Sequence, residues 1–423
     1  MPADCTQSVR LEETGAKTMR NGTLSALLAL SFAFTTGAAG QPPASAEISA
    51  LRAEIAALTE RLDRLERGAM PSEPQQAVAA PRVVEQREDA PALPNIRFSG
   101  DLRYRHESIN EDGVDERQRH RIRGRFGVTA DVASNVRLGL QLATGGDDPV
   151  SGNQTLDTGF DRKSIGVDRA FFSWAATDAL TFTGGKMGNP FFRPADHHLV
   201  YDRDLNPEGL ALRYERGDWF ANYAGLWVEE RGAANDSIML GGQIGYRRTL
   251  GNGMHLTAGA SYFDYLETQG QTPFWDGAPA GNRVDAGGNY LSDFNIAELF
   301  GELRLMAGER PLALFADYVV NTEAADADTG FALGASFGEV TGPRTWSVGY
   351  AYQDLEADAV VGTFTDSDFA GGGTDGKGHV VAFNYGLRER LELGFRYFLN
   401  ERGADVSDER DYNRLQADVV FEY

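Results

Sequence analysis

Six arginines in two short stretches are the densest charge in the sequence. Arg103 and Arg105 lie two residues apart in IRFSGDLRYRHE, and Arg119, Arg121, Arg123 and Arg125 alternate through RHRIRGRF. A spacing of two puts the arginines of each stretch on one side of an extended strand, whereas a helix would scatter them. Like charges in a row repel, so they need water or facing carboxylates. Paired as neighbouring strands, the two stretches make one basic patch, which Arg169 and Lys186 extend. Such a patch attracts anions and orients dipolar solutes. The plainer alternative is that the arginines pair with carboxylates and brace a wall.

The complementary acids lie in Asn189 to Glu208, NPFFRPADHHLVYDRDLNPE. It carries Asp196, Asp202, Asp204 and Glu208, with Phe191, Phe192 and Tyr201 as apolar anchors and Pro190 and Pro194 stiffening its entrance. The alternative is an ordinary surface loop in which Asp202 and Asp204 pair with Arg203. His197 and His198 are adjacent, which alone defines no metal site. The six histidines show no HExxH spacing, and one cysteine permits neither an intrachain disulfide nor a thiolate cluster. No nucleophile, base and oxyanion set stands out. The reading is therefore no enzyme, no cofactor and no metal. Acids such as Asp147, Asp148, Asp366 and Asp368 fall in polar loops, either as plain solubility or as a cation-enriching rim.

These residues need strands to position them. From Ile96 to Tyr423, short alternating segments follow one another. In the first, Ile96, Phe98, Leu102 and Tyr104 share the face opposite the arginines; in the second, Ile122, Phe126, Val128 and Val132 do. Sixteen such segments are expected, the first two over 96–106 and 119–132. Tight turns alternate with long polar stretches at 107–118, 145–163, 188–206, 229–236, 265–293, 321–328, 355–378 and 400–411. One apolar face, one charged face and that alternation predict an all-β fold, a 16-stranded antiparallel transmembrane β-barrel with a wet interior. Such a barrel satisfies its backbone while showing lipid only alternate side chains. Trp174, Phe182, Trp219, Trp227, Tyr246, Tyr262, Tyr318, Trp346, Tyr352 and Tyr397 sit near segment ends, as aromatic girdles would. The last segment puts Leu415, Ala417, Val419, Phe421 and Tyr423 on one face.

The chain has 423 residues and a formal charge of −22, so nucleic acid is not an expected partner. Residues 1–46 read as a signal-peptide region: Arg20 precedes an eleven-residue apolar run from Leu24 to Phe34, small residues follow, and Met19 is the expected start. That run is too short to span a bilayer. Over 47–68, Ile48, Leu51, Ile55, Leu58, Leu62 and Leu65 are spaced 3,4,3,4,3, a coiled-coil oligomerisation helix. A single amphipathic helix lying on the chain's own body is the alternative. Residues 69–95 are a Pro-rich linker, and 96–423 form the barrel. An even strand number puts both barrel ends, and the coiled coil, in the periplasm.

This combination resembles the putative porins of Gram-negative bacteria. The resemblance rests on the signal peptide, coiled coil, Pro-rich linker, IRFSGDLRYRHE, the Arg-rich second strand, VDRAFFSW, GGKMGNPFF and the aromatic C-terminus. It implies an outer-membrane barrel, a homotrimer, contact with outer-membrane lipid and lipopolysaccharide, and passive diffusion of ions and small hydrophilic solutes. In trimeric porins the third loop folds inward and faces a basic wall, which gives Arg103, Arg105, Arg119, Arg121, Arg123, Arg125, Arg169 and Lys186 the role of wall and Asp196, Asp202, Asp204 and Glu208 that of constriction acids. Two other functions stay open: an anion- or phosphate-selective porin, and a structural outer-membrane anchor with a plugged lumen.

Overall fold

The computed structural model describes residues 95–423 except Ala233. The signal region, the coiled coil from Ile48 to Leu65 and the linker up to Pro94 lie outside the described residues.

The strands are β1 (Asn95–Glu111), β2 (Arg117–Ala133), β3 (Val136–Thr144), β4 (Gln154–Thr155), β5 (Ile165–Thr177), β6 (Leu180–Lys186), β7 (Glu208–Arg216), β8 (Trp219–Glu229), β9 (Ser237–Thr249), β10 (His255–Tyr265), β11 (Phe294–Ala307), β12 (Arg310–Asn321), β13 (Thr329–Gly338), β14 (Trp346–Leu355), β15 (Gly376–Arg388), β16 (Leu391–Arg402) and β17 (Arg410–Glu422). All but β4 run antiparallel in chain order and close into one barrel of sixteen strands, β17 pairing back onto β1 from Asp101↔Glu422 to Glu111↔Tyr412. The two-residue β4 belongs to the second long loop, 145–164, which bends back onto β2.

Around β1 and β2 the barrel wall is inside out relative to a water-soluble core. On β1, Phe98 is 64% and Leu102 52% exposed on the outer face, whereas Arg105 is 3% and Glu107 0% exposed within. Alternation produces this, because successive side chains of a strand point to opposite faces. Aromatics mark the ends of the outer surface. Trp174 stacks on Phe182 at 5.5 Å, and Trp219 meets Tyr246 edge-on at 5.0 Å, both beside short turns. Trp227, Tyr262 and Tyr318 stand exposed toward the long-loop end.

Long and short connections alternate as expected, but the first hairpin is longer. β1 runs to Glu111 and β2 starts at Arg117, so the first long loop shrinks to 112–116. Glu107 thereby belongs to the wall, directly opposite Arg119. Closure also needs one glycine. A Cβ on Gly100 would lie 2.2 Å from the Arg125 carbonyl oxygen and 2.3 Å from the Tyr423 hydroxyl. Tyr423 lies across that gap, exchanging both backbone hydrogen bonds with Gly100 and donating its hydroxyl to the Arg125 carbonyl at 3.1 Å.

Candidate functional site

Register decides which charges meet inside the barrel. Across β1 and β2, Arg103 faces Arg123, Arg105 faces Arg121, Glu107 faces Arg119 and Asp101 faces Arg125. Two of those rows oppose like charges, which is unfavourable unless neighbours intervene. The intervention comes from diagonal positions, from β17 and from loops. Asp101 accepts from both Arg123 (3.1 Å) and Arg125 (2.5 Å). Asp418 on β17 takes Arg105 through two parallel bonds of 2.7 Å, the geometry that makes arginine–carboxylate pairs strong. Glu107 sits among four guanidiniums: it accepts from Arg119 and, at 2.5 Å, from Arg414, with Arg105 at 3.6 Å and Arg121 at 3.8 Å.

The third long loop, 187–207, enters the lumen. Phe191 packs edge-on against Phe263 at 4.9 Å, and Phe192 lies between Phe220 and Phe300 at 5.9 and 5.4 Å. Gln243 on β9 clamps the Phe192 backbone, accepting from its N–H at 2.8 Å and donating to its carbonyl at 3.0 Å. Further along, His197 is within 2.9 Å of the Gln353 side-chain oxygen on β14. Burial, together with neighbouring His198, pushes the His197 imidazole down to about 4, so it is neutral at physiological pH. The loop then returns to the basic wall, where both oxygens of Asp204 lie 3.2 Å from Arg123 and one lies 3.5 Å from Arg125. Burial pushes the Asp204 carboxyl up, but Arg123, Arg125 and Arg103 outweigh it and hold it below its ordinary value.

The seventh long loop, 356–375, folds in from the other side. Thr365 donates its hydroxyl to the carbonyls of His198 (3.0 Å) and Leu199 (2.9 Å), and Asp202 N–H donates to the Phe364 carbonyl at 2.8 Å. Asp368 meets Arg105 at 3.0 Å and Arg414 at 2.7 Å. Burial opposes its ionisation, yet Arg414 and Arg105 hold it well below the ordinary carboxylate range. Burial likewise pushes Asp202 up to about 7, partly offset by His198 and reinforced by Asp366 and Asp204.

Not every expected wall residue joins this cluster. Arg169 donates to Asn206 at 2.6 Å, and the bulge at Asp168 lets that residue accept from Asn206 at 2.7 Å, so the pair fastens the end of the third loop. Lys186 pairs with Glu208 at 3.0 Å across β6 and β7, and Glu208 is the first residue of β7 rather than a loop acid facing the arginines. Asp196 is held by Arg193 at 2.6 Å and by Arg203. Of the four expected loop acids, Asp204 alone meets the basic wall. Asp366 and Asp368 are inside the lumen rather than on the rim, because the seventh loop turns inward.

Three internal cavities lie in series. The outer one, about 580 Å³, reaches the long-loop end beside Gly145, Asp148 and Trp275. The middle one, about 300 Å³, is lined by Arg103, Arg105, Asp202, Asp366 and Arg396. Both are bounded by Arg123, Arg125 and Asp204, so this ion-paired cluster stands between them. The third, about 470 Å³, opens among the short turns and shares Glu392, Val420 and Glu422 with the middle one.

The chain matches the family described as "putative porin" over residues 107–283 and 302–413, most of the barrel. The chain belongs to the putative porin family. One solved structure carries the fold comparison. The high-pH structure of Pseudomonas putida OprB aligns with a TM-score of 0.54 at 12% identity, covering 78% of this chain and 94% of that one. A triple mutant of the Rhodopseudomonas blastica porin aligns at 0.48 and 11% identity, covering 78% and 100%. A loop-deletion mutant of OmpT from Vibrio cholerae aligns at 0.47 and 13% identity, again covering 78% and 100%. No curated protein matches. Family and barrel imply an outer-membrane setting, and porins are typically channels rather than enzymes.

Within this porin-family barrel, sequence reading missed the contributions of Arg396, Arg414, Asp418 and Asp368. Parity alone puts Arg414 and Asp418 on the luminal face. Their partners on β1 lie some three hundred residues away in sequence and become neighbours only on closure.

Proposed function

We propose that this protein is a passive outer-membrane diffusion channel for ions and small hydrophilic solutes, assembled as a homotrimer. The observation that carries the reading is the series of three cavities, with Arg123, Asp204 and Arg125 standing between the first two. A solute crossing there leaves most of its bulk water and meets fixed charges at close range, where screening is weakest. Selectivity is set by what those charges leave uncompensated. Arg105, Arg119, Arg123, Arg125 and Arg414 each have a carboxylate partner within 3.2 Å. Among the described residues, Arg103 has only the Asn153 side-chain oxygen, at 2.6 Å, and Arg121 has Glu107 no nearer than 3.8 Å.

That remainder favours a second reading, a pore selective for anions such as phosphate. Most of the wall is neutralised, so a general pore with modest selectivity is the preferred function. Planar-bilayer conductance of refolded, heat-modifiable protein tests it. Discrete steps carried by chloride and potassium alike support the general pore. Steps blocked by millimolar phosphate support the anion-selective one. Silence refutes both and leaves a barrel plugged by its third and seventh loops, acting as a structural anchor.

A further inference from the structure

We infer that His198, Asp202 and Asp366 form a binding site for a divalent first-row metal ion that fastens the third long loop to the seventh. One donor atom from each residue lies within 4.8 Å of the other two, and His198 Nδ1 is 3.6 Å from an Asp366 oxygen. An ion centred among donors at that spacing would be at most about 2.8 Å from each. Bond lengths of about 2.0–2.2 Å therefore need each side chain to close by at most about 0.8 Å.

Three features point to a cation rather than to a chance grouping of acids. The first is missing charge. Asp101, Glu107, Asp204, Asp368 and Asp418 each have an arginine within 3.2 Å. Among the described residues, Asp202 and Asp366 have no lysine or arginine within 4.0 Å, although Asp202 is only 5% exposed. Burying carboxylates without a compensating charge is unfavourable, and a divalent ion supplies it. The second is an uncommitted imidazole: among the described residues, buried His198 Nε2 has no hydrogen-bond partner, and Nδ1 comes no nearer to Asp366 than 3.6 Å. The third is preorganisation. Thr365 clamps the backbone of His198 and Leu199, Asp202 N–H bonds to Phe364, and Ser367 N–H donates to Asp202 at 2.9 Å. These contacts leave the two carboxylates oriented and with lone pairs to spare.

One imidazole with two carboxylates suits zinc, manganese, iron or nickel better than calcium, which takes a larger all-oxygen shell. All three residues line the middle cavity, so water from it can complete the coordination. Arg203 and Arg396 line the same cavity; Arg203 is committed to Asp196.

Isothermal titration of zinc chloride into the refolded full chain in detergent, at fixed pH, tests the site. The expected result is one zinc per chain, weakened at least tenfold in His198→Gln and in Asp366→Asn and unchanged in Asp408→Asn. Cobalt should give a visible absorption band that His198→Gln removes, and heat-modifiable migration checks that each variant is folded. No zinc binding up to millimolar concentration would overturn the proposal. So would equal affinity in wild type, His198→Gln and Asp366→Asn. Binding is read without conductance, so a silent barrel that holds zinc would refute the pore and leave the metal site standing.

Discussion

Asp204 reaches Arg123 with both carboxylate oxygens, each 3.2 Å from the same guanidinium nitrogen. This contact joins the returning limb of an inward loop to the second strand of the barrel and separates two cavities. Removing the acid by Asp204→Asn leaves Arg123 and Arg125 sharing Asp101 alone. The chloride-to-potassium permeability ratio, from reversal potentials under a salt gradient, should rise about two- to fivefold, the effect of roughly 0.5–1 kcal/mol from one partly screened charge. The double variant Arg123→Ser with Arg125→Ser should move the ratio the other way.

Arg103 and Arg119 separate selectivity from bracing. Among the described residues, Arg103 has no carboxylate partner, whereas Arg119 is bonded to fully buried Glu107. Arg103→Gln should shift the reversal potential toward cations and leave thermal stability within about 0.5 kcal/mol. Arg119→Gln should lower stability by about 1–3 kcal/mol, because Glu107 loses a charged hydrogen bond, with a smaller change in selectivity. Thermal loss of heat-modifiable migration beside reversal potentials checks both.

The influence of Asp204 should depend on pH in one direction. Its carboxyl is held below the ordinary value of 3.8 in the folded protein, with Arg123 and Arg125 outweighing burial. A depressed carboxylate contributes stability above its unfolded pKa and loses it as pH falls through the folded value. The selectivity difference between wild type and Asp204→Asn should persist from neutral pH through the ordinary carboxylate range and be lost only as pH falls below that range. Reversal potentials of the two proteins across this range measure it.

Barrel closure should hinge on Gly100. A methyl group there meets the Arg125 carbonyl and the Tyr423 hydroxyl at 2.2 and 2.3 Å. Gly100→Ala should reduce refolding yield and lower stability by about 1–3 kcal/mol. Gly100→Ala with Tyr423→Phe should recover little, because the backbone oxygen remains in the way. The appearance of the heat-modifiable band during refolding follows this directly.

The strands were legible because period-two alternation puts Phe98, Leu102 and Phe126 outside and the arginines inside, whatever the strands pair with. The inward third loop was an implication of the porin resemblance, and Phe191, Phe192 and Tyr201 were only its possible anchors. The pairing of charges was not. Glu107 was counted as loop because its neighbours His106 and Ser108 break the apolar alternation, yet it anchors four arginines. Arg414, Asp418 and Asp368 meet Arg105 or Glu107 only after closure and loop insertion, which no local pattern encodes. For the same reason Asp196 and Glu208, acids in the expected loop, pair with nearby cations instead of the wall.

If the barrel is a diffusion channel, solutes pass the Arg123–Asp204–Arg125 cluster. Asp204→Cys places one thiol there in a described region that otherwise lacks cysteine. A positively charged methanethiosulfonate reagent added to single channels of this variant should produce a stepwise fall in conductance and a shift toward anion selectivity, with wild type unaffected. If mass spectrometry shows the thiol fully modified while conductance and reversal potential stay unchanged, ions travel by another route and the account is wrong.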